Sequence, residues 1–152
     1  MNKANKQRLI ELKYKYDRER YPNFPYPVPY KKNDNSTNGL TNCIIDFLNY
    51  TGHQAERISS MGRVIKGKDR FGLHGEVYKG ESIYIPGTST KGTADISATI
   101  NGKSVKIEVK FGKDRQSEVQ KDYQNSVERA GGVYFIARTF DDFIEFYDNY
   151  QF

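Results

Sequence analysis

Apolar side chains are sparse but helically spaced at the start of the chain. Leu9, Leu12 and Tyr16 recur at three- and four-residue intervals in residues 3–20 (KANKQRLIELKYKYDRER), amid mostly charged neighbours. So thin a stripe predicts a helix that must dock on something or fray. The pattern then breaks. Residues 21–30 (YPNFPYPVPY) hold four of the five prolines, which excludes helix and central strand and predicts an extended, aromatic-decorated segment. A polar loop, KKNDNSTNG, follows, and the compact domain is expected to begin near Asn38.

From there the apolar pattern is denser. In residues 41–51 (TNCIIDFLNYT), Ile44, Phe47 and Leu48 share a helical face, Thr41 or Asn42 can cap it and Gly52 ends it. Short β-type runs broken by glycines follow in 55–66 and 70–85 (AERIS, RVI, ESIYI), then a loop at Pro86-Gly87 and TSTKGT. ADISATI alternates, Asn101-Gly102 is a two-residue hairpin turn, and SVKIEVKF alternates on the return. Ser117-Glu118-Val119-Gln120 fits a capping box opening a helix with Val119, Tyr123, Val127 and Ala130 on one face. VYFIA, 133–137, reads as a buried strand, and residues 139–150 as an amphipathic helix with Phe140, Phe143, Ile144 and Tyr147 inward. The order α-β-β-β-α-β-α predicts a mixed α/β fold, helices packed on a central sheet, behind an N-terminal extension.

Composition narrows the class. A chain of 152 residues, 36% hydrophobic, allows one compact domain, with residues 1–37 as an extension and 38–152 as the domain. The single cysteine, Cys43, excludes an internal disulfide framework, suits a reducing compartment and is expected to be buried and inert. With only two histidines, His53 and His74, no Cys/His zinc cluster exists. No apolar run approaches the ~18 residues of a membrane span, and MNKANKQRLI lacks a signal-peptide core.

Charge is uneven. Residues 1–37 hold nine Lys/Arg against four Asp/Glu, and 38–152 hold fifteen of each, so the net +5 equals the excess of the extension. Residues 55–115 hold twelve basic against seven acidic. Two basic regions suit a polyanion, nucleic acid being the commonest, and also suit plain solubility.

Candidate chemistry sits on the hairpin. Period-two geometry puts Glu108 and Lys110 on one face, with Asp95 at the start of the partner strand and Ile96, Ile107 and Val109 facing the other way. The preceding loop, GTSTKGTAD, leaves room for a backbone-sized ligand. Two carboxylates 4 Å apart repel by roughly 4 kcal/mol at an effective dielectric near 20. Lys110 supplies one compensating charge and a divalent metal more. Asp95, Glu108 and the carbonyl of Val109 are hard oxygen donors suited to Mg2+. The same pattern also describes an ordinary exposed cross-strand salt bridge. Gln120 is the N3 residue of the capping box, and Lys113, Arg115 and Lys121 gather at that helix start, either gripping phosphates or forming a solvated face. Lys91, before Asp95, is a further candidate for a phosphate contact. His53 reads as a helix C-cap partner, and KGKDRFGLHG lacks the Lys-Ser/Thr ending of a phosphate-binding loop.

The ordered set Gly92-Thr-Ala-Asp95, Glu108-Val-Lys110, Ser117-x-x-Gln120 and Gly131-Gly132 resembles the PD-(D/E)xK nuclease superfamily, nearest its VRR-NUC branch and related phage or bacterial resolvase-like nucleases, over residues 40–145. The resemblance implies a restriction-endonuclease-like core and a Mg2+-dependent endonuclease (Mn2+ as substitute) acting on DNA, branched or recombination intermediates included, in the cytoplasm of a bacterium or phage-infected cell. Asp95 and Glu108 would be metal ligands, Lys110 the catalytic lysine and Gln120 the motif residue on the next helix. The chain departs from the pattern where the first helix usually carries an acid: Asn38 or Asn42 stands there, with Asp46 a turn further on, so that either an asparagine or Asp46 substitutes or the site lacks that ligand. Ala94 stands where the motif proline precedes the aspartate. The alternatives are an inactive nucleic-acid-binding module on the same fold, and an interaction protein docking through its proline-aromatic segment. A two-fold homodimer would suit a substrate with two equivalent scissile strands.

Overall fold

The computed structural model describes residues 1–26, 28–58, 63–85 and 90–151. Among these residues four helices and eight strands follow in the order α1 (Lys3–Arg20), α2 (Thr37–Tyr50), β1 (Gln54–Arg57), β2 (Arg63–Ile65), β3 (Arg70–Phe71), β4 (Val77–Tyr78), β5 (Ile83–Ile85), β6 (Ile96–Ile100), β7 (Lys103–Val109), α3 (Glu118–Arg129), β8 (Val133–Ala137) and α4 (Phe140–Asn149). The fold is mixed α/β. Its central sheet runs β1-β6-β7-β8, with β1, β6 and β7 antiparallel and β8 parallel to β7. The parallel pair needs a crossover, and α3 provides it.

The alternation seen in the sequence sets the two faces of the sheet. Ala55, Ile96, Ala98, Ile100, Val105, Ile107, Val109 and Ala137 face one way, into a single core with α1, α2 and α4. Ser97, Lys106, Glu108 and Tyr134 face the other way, where α3 lies with Tyr123 edge-on to Tyr134. The β6–β7 turn is Asn101 and Gly102, both at positive φ (46° and 82°), the left-handed pair that a tight hairpin requires.

α2 begins at Thr37, four residues before the expected start at Thr41, and the fully buried Leu40 extends its apolar face by one turn. Ser36 is its cap, accepting from the Gly39 N–H, and the first turn, Thr37-Asn38-Gly39, is polar and leaves no periodic mark. The helix ends at Gly52 (φ +86°), where the His53 N–H donates to Leu48. α3 carries the expected capping box at Ser117 and Gln120, but not the buried face. Tyr123 and Val127 are half-buried, whereas Val119 and Ala130 are exposed. The reason is the surface it meets: Ser97, Lys106 and Glu108 share that side of the sheet with Tyr134 and Ile136, so an apolar stripe finds little to press against.

The thin stripe of α1 finds its partner within the chain. Leu9 is fully buried in the same core as α2 and α4, with Leu12 packed beside it. Arg8 forms a two-pronged pair with Asp148 (2.7 and 2.9 Å) and lies 5.1 Å from the Phe47 ring centroid. Asp141, in the first turn of α4, accepts from the Asn2 N–H and from Asn5. The Tyr30 hydroxyl donates to Asp46 on α2. Leu9→Ala is therefore expected to cost about 2–5 kcal/mol, seen as a lower urea midpoint at unchanged slope; a loss below 0.5 kcal/mol, the ceiling for an ordinary surface change, would mean the helix is not part of the core.

Between β1 and β6 the chain makes a separate excursion. β2 pairs with β5, and β3 with β4, nested in one antiparallel ribbon over residues 63–85. Gly67 and Gly80 let the strands meet closely: a Cβ on Gly80 would stand 2.3 Å from the Gly67 carbonyl carbon. None of the four strands joins the central sheet. The loop expected at Pro86-Gly87 lies outside the described residues, as does Ser59 of the AERIS run.

Among the described residues no helix is long and apolar enough to cross a membrane.

Candidate functional site

The two inner strands bring three of the sequence candidates to one end of the sheet. Asp95 immediately precedes β6, Glu108 lies near the end of β7, and Lys110 follows it. Asp95 Oδ2 accepts the Val109 N–H at 2.9 Å, so Asp95 is tied across the hairpin to the backbone between Glu108 and Lys110. Lys110 Nζ lies 3.1 Å from Glu108 Oε1. Both residues are buried, Glu108 at 3% exposure and Lys110 at 7%, which separates this pair from an exposed cross-strand bridge.

Gln120 completes the cluster from α3. Its Oε1 accepts from Lys110 Nζ (3.0 Å) and from the Ser117 N–H (3.0 Å), and its Nε2 donates to Glu108 Oε1. One amide thus caps a helix and joins both charged groups. Gly92 brings α3 to this position. Its φ is +78°, and a Cβ there would stand 2.4 Å from the Val119 carbonyl oxygen. The room that the glycine-rich loop was expected to leave for a ligand is, at Gly92, filled by the first turn of α3.

Glu108 Oε2 is buried with no hydrogen-bond partner among the described residues. A buried carboxylate oxygen left unpaired is costly. Accordingly the Glu108 carboxyl is held above its ordinary value, first by burial and next by the charge of Asp95, with Lys110 and Gln120 pulling the other way. Tyr134, beside it on β8, is pushed upward by burial and by Glu108. The donor set fits a hard divalent cation: the Glu108 carboxylate with its orphaned Oε2, the Asp95 carboxylate and the Val109 carbonyl are all oxygen donors from adjacent strands at one end of the sheet. Among the described residues no three His, Cys, Asp or Glu side chains gather, so the acids number two.

Among the described residues, none of the first-helix candidates bonds Asp95, Glu108 or Lys110. Asp46 accepts from Tyr30 (3.0 Å) and Lys32 (2.7 Å), facing the N-terminal extension. Asn42 is half-buried on α2. Asn38 accepts from Arg57 Nη2 at 2.7 Å. Arg57 ends β1 opposite Ile96, and the next residue, Ile58, donates to the Asp95 carbonyl at 2.8 Å. Sequence reasoning missed Arg57. Its one signal was an arginine two residues after Ala55, on a face otherwise apolar.

The basic candidates surround α3's start without entering the cluster. Lys91, Lys113, Arg115 and Lys121 are all exposed, and Lys121 pairs with Glu118 at 2.7 Å. Arg138 donates to the Asp114 carbonyl and steadies the loop carrying Lys113 and Arg115. His53 bonds Tyr147 (2.8 Å) and Cys43 is buried, so both serve the core. A groove of about 750 Å3 lies away from the acids, between α1 and the proline-aromatic segment, with Tyr14, Tyr21, Phe24 and Tyr26 in its walls.

No family model matches the chain, and no curated protein matches its sequence.

Proposed function

We propose that the protein is a metal-dependent endonuclease built on a restriction-endonuclease-like core, hydrolysing DNA phosphodiester bonds. The observation carrying this reading is the unpaired Glu108 Oε2, buried beside a second carboxylate and a lysine. A structural ion pair gains nothing from a second, orphaned oxygen, whereas a cation site requires one. Asp95, Glu108 and the Val109 carbonyl would hold Mg2+ (or Mn2+), which when bound polarises a phosphate and lowers the pKa of a bound water. Lys110 has three N–H donors. Glu108 and Gln120 engage two, and the third can reach a non-bridging phosphate oxygen or the attacking water. Gln120 is a positioning residue that fixes the ammonium against the helix cap. Lys91, Lys113, Arg115 and Lys121 would hold the flanking backbone. The resemblance to VRR-NUC and resolvase-like nucleases supports the DNA substrate, including branched forms, and a cytoplasmic setting. A homodimer would match two scissile strands.

A specific observation favours a second reading, an inactive nucleic-acid-binding module. The usual first-helix acid is absent, and the nearest substitute, Asp46, is engaged by Tyr30 and Lys32. Incubating the full chain with linear, flapped and four-way DNA, with Mg2+ or Mn2+, separates the two. Cleavage that chelation stops supports the nuclease, and binding without cleavage of any of the three supports the module.

A further inference from the structure

We propose that the ribbon of residues 63–85 is a grip for duplex DNA, laid on the nucleic acid beside the scissile site; the inference rests on the nuclease reading. Four of its cations, Lys66, Lys68, Arg70 and Lys79, are exposed, and none forms an ion pair among the described residues. Asp69, the acid between Lys68 and Arg70, turns to the backbone and accepts the Gly80 N–H at 3.0 Å. The ribbon's positive charge is thus left for something outside the chain.

Its apolar side chains are uncovered too. Phe71 is 78% exposed, Tyr78 62% and Tyr84 63%. A two-stranded ribbon is marginal in water, and apolar surface of this kind marks an interaction site. Two occupants suit it: a nucleic-acid groove or the same ribbon of a second copy. Residues 63–85 hold five Lys/Arg against three Asp/Glu. A two-fold pairing of ribbons would set this excess against itself, whereas a polyanion is attracted to it. The major groove admits a two-stranded ribbon, and aromatic rings can lie against sugars and exposed base edges.

Connectivity places the ribbon. It leaves the sheet after Ile58, whose N–H is bonded to the Asp95 carbonyl, and returns to Thr90, five residues before Asp95. Five residues span at most about 18 Å. Both roots therefore lie within half a duplex turn of the candidate centre.

The test combines Lys66→Gln, Lys68→Gln, Arg70→Gln and Lys79→Gln in the full chain. Affinity for a mixed-sequence duplex is measured by anisotropy, without divalent ions, across a salt series. Each phosphate contact contributes about 0.9 to the slope of log K against log salt. The slope should fall by about 3–4, while Mg2+-dependent cleavage at saturating DNA stays near the parent rate. An unchanged slope overturns the proposal. So does a wild-type dimer that Phe71→Ser with Tyr84→Ser converts to monomer in sedimentation, since the second copy is then the occupant. A ribbon-dependent slope without cleavage would leave the grip standing and remove the nuclease reading. Cleavage with an unchanged slope would do the reverse.

Discussion

Asp95→Asn should abolish Mg2+-dependent cleavage while leaving the fold as stable as before or more so. The asparagine carbonyl oxygen can still accept the Val109 N–H, so the cross-hairpin tie survives. The substitution removes the charge that, after burial, does most to hold the Glu108 carboxyl above its ordinary value. Relief of that repulsion is a stabilising change. Catalysis loses one anionic donor to a cation that supplies several kcal/mol of transition-state stabilisation, and 4 kcal/mol is about a thousandfold in rate. Activity should fall by about that factor or more, with Glu108→Gln equally inactive. The measurements are single-turnover cleavage and thermal melting. Full cleavage by Asp95→Asn would sink the metal assignment, and a large drop in melting temperature would make Asp95 structural.

Lys110→Met should have the largest effect on stability. The lysine is buried against Glu108 and Gln120, and removing one partner of such a pair typically costs about 3–5 kcal/mol. The sign with pH follows from Glu108. Its folded-state pKa already lies above the ordinary 4.5 and rises further once Lys110 is gone. A carboxyl that holds its proton more tightly when folded contributes stability at low pH and loses it as pH rises from the ordinary value through the folded one. The deficit of Lys110→Met should therefore grow as pH rises above the ordinary glutamate value of about 4.5 and close as pH falls below it. Urea midpoints at the two extremes test this. Mg2+ at neutral pH should restore part of the loss if the carboxylates hold it. Cleavage should be absent while DNA binding persists. A variant as stable as the parent at pH 7 that also cleaves normally would mean an ordinary salt bridge.

Local signals proved the most legible. The Asn101-Gly102 turn, the alternation on β6 and β7, and the Ser117 cap each depend on neighbours a few residues apart, and the sequence carries them directly. The Glu108–Lys110 spacing is of the same kind: two residues on a strand share a face whatever the rest of the chain does. What escaped depends on distant partners. Asp46 looked available as the first-helix acid until Tyr30 and Lys32, 16 and 14 residues earlier, were seen to engage it. The Asn38–Arg57 bond spans 19 residues and marks no periodicity. The strands β3 and β4 are two residues each, too short for any pattern. The burial of α3 failed for a similar reason, because the surface it meets is made by β7 and β8, not by the helix itself.

Because α3 has no fully buried residue, it is held by the half-buried Tyr123 and Val127 and by its first turn, and there the Gln120 side chain serves two structures at once. The cap and the charged cluster are therefore expected to open and close as one unit. Amide protons of α3 should exchange with solvent faster when Lys110 or Glu108 is altered, although neither lies on the helix, and more slowly when a cation fills the centre. Substrate that engages Lys110 would draw on the bonds that hold Gln120. Local breathing of the crossover helix would thus be coupled to occupancy of the strand end it covers.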